Sequence, residues 1–475
     1  MRRTCSNLLS FAVAVSIGAT ATLAHAQSNP AGRLPDAPVA AFLQTGGAAT
    51  GPTGMQQPGT APSAPGENGK LTRREAEQMA LEHNPRVSVS KLLAMAQHQV
   101  YRETRSAELP QLNGSATALD AQEASRISSG ALTSSRLLVH AGAGVEFSQL
   151  LFDFGRTRNL VGSSKLQERA QNANALATQE DIVLAADQAF YNALQAQALL
   201  EVANQTVNQR TATDTQVGEM TKNNLKSTLD QSFADVDLSQ AKLLQLDAQN
   251  NVAATMAALD DVLGLDHEVQ YQLVDDAGDL PSLPPDPKAL VQLAIQQRPD
   301  LQSLNYNQQS AMKFSRAQHD QMLPTISALG TVGITPVRPD NYYNDNWWGG
   351  IGVNLNVPIF DGFLYVSQAK EAALRAQSAS EQTRNLRNMI VRDVNTSWIA
   401  AKNAYQKVSV TAQLLKEANM AFGLAKTRYQ LGLSNIVELT QAQLQQTSAQ
   451  ISNTNAQYQY RLSLATLNYE IGATP

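Results

Sequence analysis

The residues able to do chemistry are few and scattered. Six histidines stand at positions 25, 83, 98, 140, 267 and 319, and no two share a metal-ligand spacing. The single cysteine, Cys5, sits too near the start to help them. Asp260-Asp261 and Asp275-Asp276 are acidic pairs that read as solvated surface rather than calcium ligands. Gly349-Gly350-x-Gly352 has the composition of a phosphate loop but lies inside an alternating segment, not ahead of a helix. Small residues on one face of a strand are the plain reading. The expectation is a chain with no catalytic residue, no metal and no cofactor, and so not an enzyme.

What remains is architecture. Residues 1–26 read as a signal peptide: Arg2 and Arg3, an apolar run from Leu8 to Ile17, and the small-x-small site Ala24-His25-Ala26. Removing Arg2 and Arg3 from 36 basic residues leaves 34 against 41 acidic ones, a net charge of −7 that disfavours nucleic acid as a partner. The exported chain would carry no cysteine, so burial or oligomerisation must stabilise it rather than disulfides. No segment beyond the signal supplies about twenty continuous apolar residues. Any membrane contact must therefore be made by a β-barrel. Residues 27–69, rich in Pro, Gly, Ala and Ser, read as a disordered arm that acts as a tether.

The remainder is written twice. Ala80-Leu81-x-x-x-Pro85 and Pro110 recur, at one constant offset, as Ala294-Ile295-x-x-x-Pro299 and Pro324. Phe152-Asp153-x-Gly155 returns as Phe360-Asp361-Gly362, and Leu259-x-x-x-x-Gly264 as Leu467-x-x-x-x-Gly472. The expected repeats are 70–264 and 288–472, joined by a proline-rich linker, 265–287. Thr72-x-x-Glu75 is a capping box for a first short helix, and a second helix runs from Pro85 to about 108, where Pro110 stops it.

The period then changes from helix to strand. Leu112, Gly114, Ala116 and Ala118 alternate with Gln111, Asn113, Ser115 and Thr117. Val139, Ala141, Ala143, Val145 and Phe147 alternate with His140, Gly142, Gly144, Glu146 and Ser148. In the second repeat Ile326, Ala328, Val332 and Ile334 oppose Thr325, Ser327 and Thr331, and Ile351, Val353, Leu355 and Val357 oppose Gly350, Gly352, Asn354 and Asn356. Expected strands are about 110–120, 138–151, 324–335 and 348–360. Their length of about ten residues is what a tilted strand needs to cross a bilayer. Tyr342, Tyr343, Trp347 and Trp348 at the mouth of the fourth strand suit a membrane–water boundary. A soluble sandwich is the alternative, but it would not separate two hairpins by very long helices.

Those helices are expected at about 156–220, 228–263, 363–430 and 435–471, since no proline lies between Pro110 and Pro281 or between Pro358 and Pro475. A helix of that length must pack along its neighbours. Seam positions are mostly Ala or Ser with loosely spaced apolar residues such as Ile390 and Val394, the mark of a helical wall wet on one side. Four strands cannot seal a pore, because open edges in lipid cost about several kcal/mol per unpaired group. Closure must come from further copies in a ring. Two chains would give eight strands and a filled lumen, three would give twelve and an open bore.

The duplicated Ala-Leu/Ile-x-x-x-Pro helix, the Phe-Asp-x-Gly segment, and Arg428-Tyr429-Gln430-Leu431-Gly432-Leu433-Ser434 followed by Leu439-x-x-Ala442-Gln443 resemble the TolC family of outer membrane efflux proteins, over about 71–472. The resemblance implies a mainly α fold with a pair of membrane β-hairpins. It implies a homotrimer whose 12-stranded β-barrel continues into a 12-helix α-barrel, in the outer membrane of a Gram-negative bacterium with a large periplasmic part. The partners implied are outer membrane lipid, a periplasmic adaptor protein and an inner-membrane pump.

By place in the motif, Asp230, Tyr429 and Glu438 match the family residues that close the tunnel's periplasmic end. Tyr429 would donate to Asp230 as an inter-helix clasp. Glu438 would point into the bore as a ring of carboxylates favouring cations, weakened because the family's second acid is here Gln441. The alternative for Asp230 and Glu438 is a solvated helix face. The resemblance also implies adaptor contacts at the two tips, Leu225, Lys226 and Ser227, and Gly432, Leu433 and Ser434, although the first tip lacks the second's glycine. The function implied is a passive exit duct for small molecules in a tripartite efflux system. Type I protein secretion uses the same duct and stays open as an alternative, as does, in another class, a secreted coiled-coil structural or adhesin protein.

Overall fold

Two periodicities, one of helix and one of strand, sort the chain into elements, of which two shorter helices, two long strands and two long helices recur in each half. The computed structural model describes residues 69–119, 126–127, 135–136, 140–266, 271–275, 283, 286–334 and 347–473. The expected signal segment, all of the expected arm but residue 69, and the stretch holding Tyr342 and Tyr343 lie outside the described residues. The first repeat runs β1 (Lys70–Leu71), α1 (Arg73–His83), α2 (Pro85–Ser106), β2 (Gln111–Leu119), β3 (Arg126–Ile127), β4 (Ser135–Arg136), β5 (His140–Phe152), α3 (Arg156–Lys222) and α4 (Thr228–Leu263). After β6 (Gln272–Leu273) the second runs α5 (Pro287–Gln297), α6 (Pro299–Asp320), β7 (Thr325–Ile334), β8 (Trp347–Asn356), α7 (Leu364–Gln430) and α8 (Ile436–Glu470).

Local chemistry sets the boundaries. The Thr72 backbone N–H donates to the Glu75 carboxylate at 2.8 Å, and the Thr72 hydroxyl accepts from Glu75 N at 3.4 Å, closing the capping box. Asn84 accepts from Arg86 N at 2.9 Å, ahead of a helix that opens on Pro85. The fourth strand stops at Asn356, short of the expected 360, and Pro358 lacks the N–H that a ladder needs.

The four long strands form one antiparallel sheet in the order β2-β5-β7-β8, so the two hairpins join through β5 and β7. Register brings the apolar rows together. Leu112, Gly114 and Ala116 on β2 lie opposite Phe147, Val145 and Ala143 on β5, which lie opposite Gly330, Val332 and Ile334 on β7. Ile326, Ala328 and Ile334 in turn face Leu355, Val353 and Trp347 on β8. The opposite face carries the row Asn113, Glu146, Thr331 and Gly350. A bulge at Leu150/Phe152 pairs Phe152 with Ile326 and so re-aims Phe152 onto the apolar face. That face is exposed in the single chain, Ile351 to 91%. β2 and β8 each pair on one side only among the described strands.

Each strand-to-helix junction uses the Phe-Asp-Gly segment. Phe154 and Gly155 take φ of 55° and 96°, and Gly362 and Phe363 take 65° and 67°, two successive left-handed residues in each repeat. Such a φ is costly for phenylalanine and needs support. The Asp supplies it: Asp153 accepts from Gly155 N at 3.1 Å and Thr157 N at 2.6 Å, and Asp361 accepts from Tyr365 N at 2.8 Å. Each carboxylate thus satisfies orphan N–H groups at the start of a 67-residue helix.

At about 1.5 Å per residue, α3 and α7 each span about 100 Å. Near the sheet, α3 packs between α2 and α6, and α6 against α7; farther down, α3 packs between α4 and α8, and α8 against α7. The seams are largely polar. Ser163 and Ser310 donate to each other's carbonyls at 2.9 Å across α3 and α6. Gln195 donates to Asn455 at 2.7 Å and Gln443 to Thr213 at 3.1 Å across α3 and α8.

Apolar cores are confined to patches. One gathers Leu71, Ala80, Ile182, Phe190, Leu259, Leu263 and Leu273, and a second gathers Ala294, Leu301, Ile390, Val394 and Leu467 at the corresponding place in the other repeat. Residues read as a plain linker are tied down beside the first core. β6 pairs in parallel with β1, Tyr271 bonds Asp260, and Asp275 is bonded by Arg461 and Tyr458. Backbone pairing across the duplication leaves no local pattern, which is why the linker reading missed it. No described helix is long and apolar enough to cross a membrane.

Candidate functional site

The far ends of the helical hairpins meet in a third small core: Val217 of α3, Ala234 of α4, Tyr429 of α7, and Ile436 and Leu439 of α8. The two turns above it are built alike. Leu225 N donates to Met220 O at 2.8 Å, and Leu433 N donates to Arg428 O at 2.9 Å. The left-handed residue is Gly432 in one turn (φ 73°) and Asn224 in the other (φ 57°). The first tip therefore lacks its glycine without losing its geometry, since asparagine tolerates this conformation. Ser227 caps α4, its hydroxyl accepting from Asp230 N at 3.1 Å, and Asn435 caps α8, accepting from Glu438 N at 3.0 Å. Asp230 and Glu438 thus hold the same first-turn place, where a carboxylate meets the positive helix end.

Among the described residues of the single chain, Tyr429 and Asp230 do not form the expected clasp. The Asp230 carboxylate accepts from Ser227 N at 3.2 Å, completing a capping box, and has no bond to Tyr429. Tyr429 is 3% exposed, and its hydroxyl is buried without a hydrogen-bond partner among the described residues. Burial, and secondarily the nearby Asp230 charge, raise its ionisation above the ordinary tyrosine value. Lys226 Nζ stands 4.6 Å over the Tyr429 ring, a cation–π contact between the two tips. The physical reason is local: a short aspartate one turn from its own cap bonds the nearer donor.

Glu438 is not a bare carboxylate either. Its Oε1 lies 3.0 Å from Arg428 Nε, on the helix that arrives at the same turn. Glu219 and Lys222 form a further pair at 2.6 Å. Charges at the tips therefore largely cancel, which the sequence reading did not anticipate. Arg428 carried a signal only in hindsight, as the basic residue of the α7 last turn. Of the expected tip contacts, Leu225 and Leu433 are strongly exposed, whereas Ser434 Oγ is buried without a partner. Gln441 lines a cavity between α3, α4 and α8.

At the other extreme the sheet carries aromatics at both ends of its strands. Trp347 lies on the apolar face opposite Ile334 and is 67% exposed. Trp348, expected beside it at a lipid boundary, lies on the opposite face, because consecutive strand residues alternate. It sits over a glycine: a Cβ at Gly333 would come within 2.9 Å of the Trp348 ring. The helix-side end has its own girdle, which sequence reading passed over as a repeat marker. Phe152 and Phe154 pair edge-on at 4.8 Å, Phe360 and Phe363 at 5.7 Å, and all four are exposed.

A family model described as outer membrane efflux protein matches residues 77–265 and 290–473. The outer membrane protein TolC of Vibrio cholerae is 26% identical over 416 residues, covering 84% of this chain and 90% of that protein. The outer membrane protein OprJ of Pseudomonas aeruginosa is 23% identical over 407 residues, covering 84% of this chain and 83% of that one. Among solved structures, the CmeC outer membrane channel of Campylobacter jejuni superposes with a TM-score of 0.75 at 18% identity, covering 84% of this chain and 85% of that one. A membrane protein from Pseudomonas aeruginosa gives 0.74 at 22%, covering 84% and 93%.

Proposed function

The chain belongs to the outer membrane efflux protein family, and from that membership we propose that it is the outer membrane exit duct of a tripartite efflux system, working as a homotrimer. It is an outer membrane protein and a passive channel, not an enzyme. Its partners are a periplasmic adaptor and an inner-membrane pump, and the pump supplies the energy. Residues 70–264 and 288–472 act as two structural repeats, each giving one hairpin to a 12-stranded barrel and two long helices to the tube beneath it.

One observation carries this reading: a four-stranded sheet, apolar on its exposed face, with β2 and β8 each paired on one side only among the described strands. Backbone groups on such edges have no partner in lipid. Each strand of ten residues is about 34 Å long, and at a tilt of about 40° it rises about 26 Å, near the hydrocarbon thickness. The helices ask for neighbours in the same way. Leu92, Leu93 and Met95 on α2, Leu229, Phe233 and Leu243 on α4, and Leu374, Ile399 and Val410 on α7 are exposed apolar residues along the borders of the helical wall. A rotationally related copy on each side covers both borders and both sheet edges with one repeated interface.

Trp347 and the four phenylalanines mark the two membrane boundaries. The tips at Leu225, Lys226 and Ser227 and at Gly432, Leu433 and Ser434 receive the adaptor. Membrane fractionation followed by electrophoresis with and without boiling tests the reading. A heat-sensitive band near three chain masses in the outer membrane fraction is expected; a monomer in the soluble periplasmic fraction would contradict it.

A further inference from the structure

The face of the sheet opposite the apolar rows has a pattern of its own. Two adjacent rungs cross it, Ser115–Gly144–Gly333–Trp348 and Asn113–Glu146–Thr331–Gly350. The Trp348 indole leans back from β8 across β7. A Cβ on Gly333 would come within 2.9 Å of its Cζ2 and 3.0 Å of its Cε2, and a Cβ on Gly144 of β5 within 3.9 Å of Cζ2. Gly333 is the one buried residue of β7, and the ring over it accounts for that. The indole itself stays 46% exposed, so its other side is open. Beside it on β8, Gly350 and Gly352 leave open space where side chains would stand. Glu146 follows Gly144 by two residues on the same face, about 7 Å along the strand. It is exposed and makes no ion pair among the described residues. This face of the four long strands carries no lysine, no arginine and no other acidic residue.

We propose that Trp348 and Glu146 form a binding site for aromatic organic cations on the wall of the bore. The flat ring of the solute stacks on the indole, and the Glu146 carboxylate answers its charge. The inference rests on the duct reading, which turns the apolar face to lipid and this face to the lumen. The chemistry is selective. An indole face attracts a cation through its quadrupole. A carboxylate with no basic neighbour on its face repels an anion. A neutral ring of the same shape gains only the stacking. The bare glycine positions beside the indole let a flat molecule lie close to the wall. One chain supplies both groups, and β8 begins at Trp347, so the site lies at the end of the sheet remote from α7. The consequence is a sorting step in the barrel itself. Aromatic cations are held at the outer mouth, where anions pass unheld.

Calorimetric titration of the detergent-solubilised full chain with 1-methylquinolinium tests this, against quinoline-8-sulfonate as the anion built on the same ring system and potassium as a cation without a ring. Saturable binding of 1-methylquinolinium, at least tenfold tighter than either comparison probe, is expected. Trp348→Leu should weaken it at least tenfold. Glu146→Gln should weaken it at least threefold and remove most of its dependence on salt concentration, since screening acts on the charge and not on the stacking. No saturable signal overturns the proposal. So does the sulfonate binding as tightly as the quinolinium, or both variants binding like the native chain. The comparison among the three probes needs no variant, so a substitution that impairs folding leaves the test standing. Fractionation decides the duct reading separately: a trimer in the outer membrane that binds no probe leaves the duct intact and removes this site alone.

Discussion

The Arg428–Glu438 pair makes ion selectivity a sharp probe of the tip. Its atoms lie 3.0 Å apart with roughly half of each side chain exposed. In water, unit charges at that distance attract by about 1.4 kcal/mol, and exposed pairs net only about 0.2–1 kcal/mol. The pair is thus a weak source of stability but a full neutraliser of local charge. If three copies ring the bore, removing Arg428 unmasks three carboxylates. A cation about 6 Å from each gains about 0.7 kcal/mol apiece at the dielectric of water, about 2 kcal/mol in all. Screening at about 0.1 M salt, with a Debye length of about 10 Å, roughly halves this and leaves a several-fold preference. In planar bilayers under a salt gradient, the native channel should be only weakly selective. Arg428→Ala should raise the cation-to-anion permeability ratio several-fold, Glu438→Ala should move it the other way, and the double variant should return to within about twofold of native. If Arg428→Ala leaves the reversal potential unchanged while Glu438→Ala lowers cation selectivity, the carboxylate acts unpaired and the charge-balance reasoning is wrong.

Three further outcomes are expected. Glu77 is buried against Asp187 and Arg73, and burial followed by the Asp187 carboxyl pushes its own carboxyl up to about 7. A raised carboxyl favours the folded state when protonated, so its contribution is full below about 4.5 and is lost as pH rises through about 7, by at most about 3 kcal/mol; hydrogen exchange of α1 between pH 5 and 8 should show that slope, and Glu77→Gln should flatten it. Asp361→Ala removes the carboxylate that caps α7 beside left-handed Phe363 and should cost about 1 kcal/mol, read as earlier thermal dissociation; no change would mean that the cap is dispensable. Tyr429→Phe deletes a buried hydroxyl with no partner among the described residues, so stability and conductance should hold or stability rise by up to about 1 kcal/mol, whereas loss of a working Asp230–Tyr429 clasp would loosen the tip and raise conductance.

Much of the architecture was legible because it rests on local rules. The Thr72/Glu75 box, the prolines at 85, 110, 299 and 324, and strict alternation fixed helix and strand spans to within a few residues. The apolar rows read from the sequence share one face in the register. What stayed hidden depends on contacts between distant segments. That β5 pairs with β7 cannot be read from either strand alone, nor can the β1–β6 pairing, since backbone hydrogen bonds carry no side-chain signature. Arg428 and Glu438 meet only because a tight turn folds α8 back on α7. Trp348 was misplaced by treating neighbouring aromatics as one belt when period two separates them. The groove that Gln441 lines needs three helices to exist at all.

The claim that matters most is that β2 of one copy closes against β8 of the next. Within one chain these edges are separated by β5 and β7, three strand spacings or about 14 Å, beyond the roughly 4.4–6.8 Å that a disulfide spans between Cα atoms. In a Cys5→Ser background, Ser115→Cys on β2 is combined in turn with Gly350→Cys and Gly352→Cys on β8, the last two at positions with open space for a side chain. Oxidation in intact outer membranes should give dimer and trimer bands that collapse to monomer on reduction, for at least one of the two combinations. Monomer alone, or a disulfide formed within a single chain, would contradict the closed trimer.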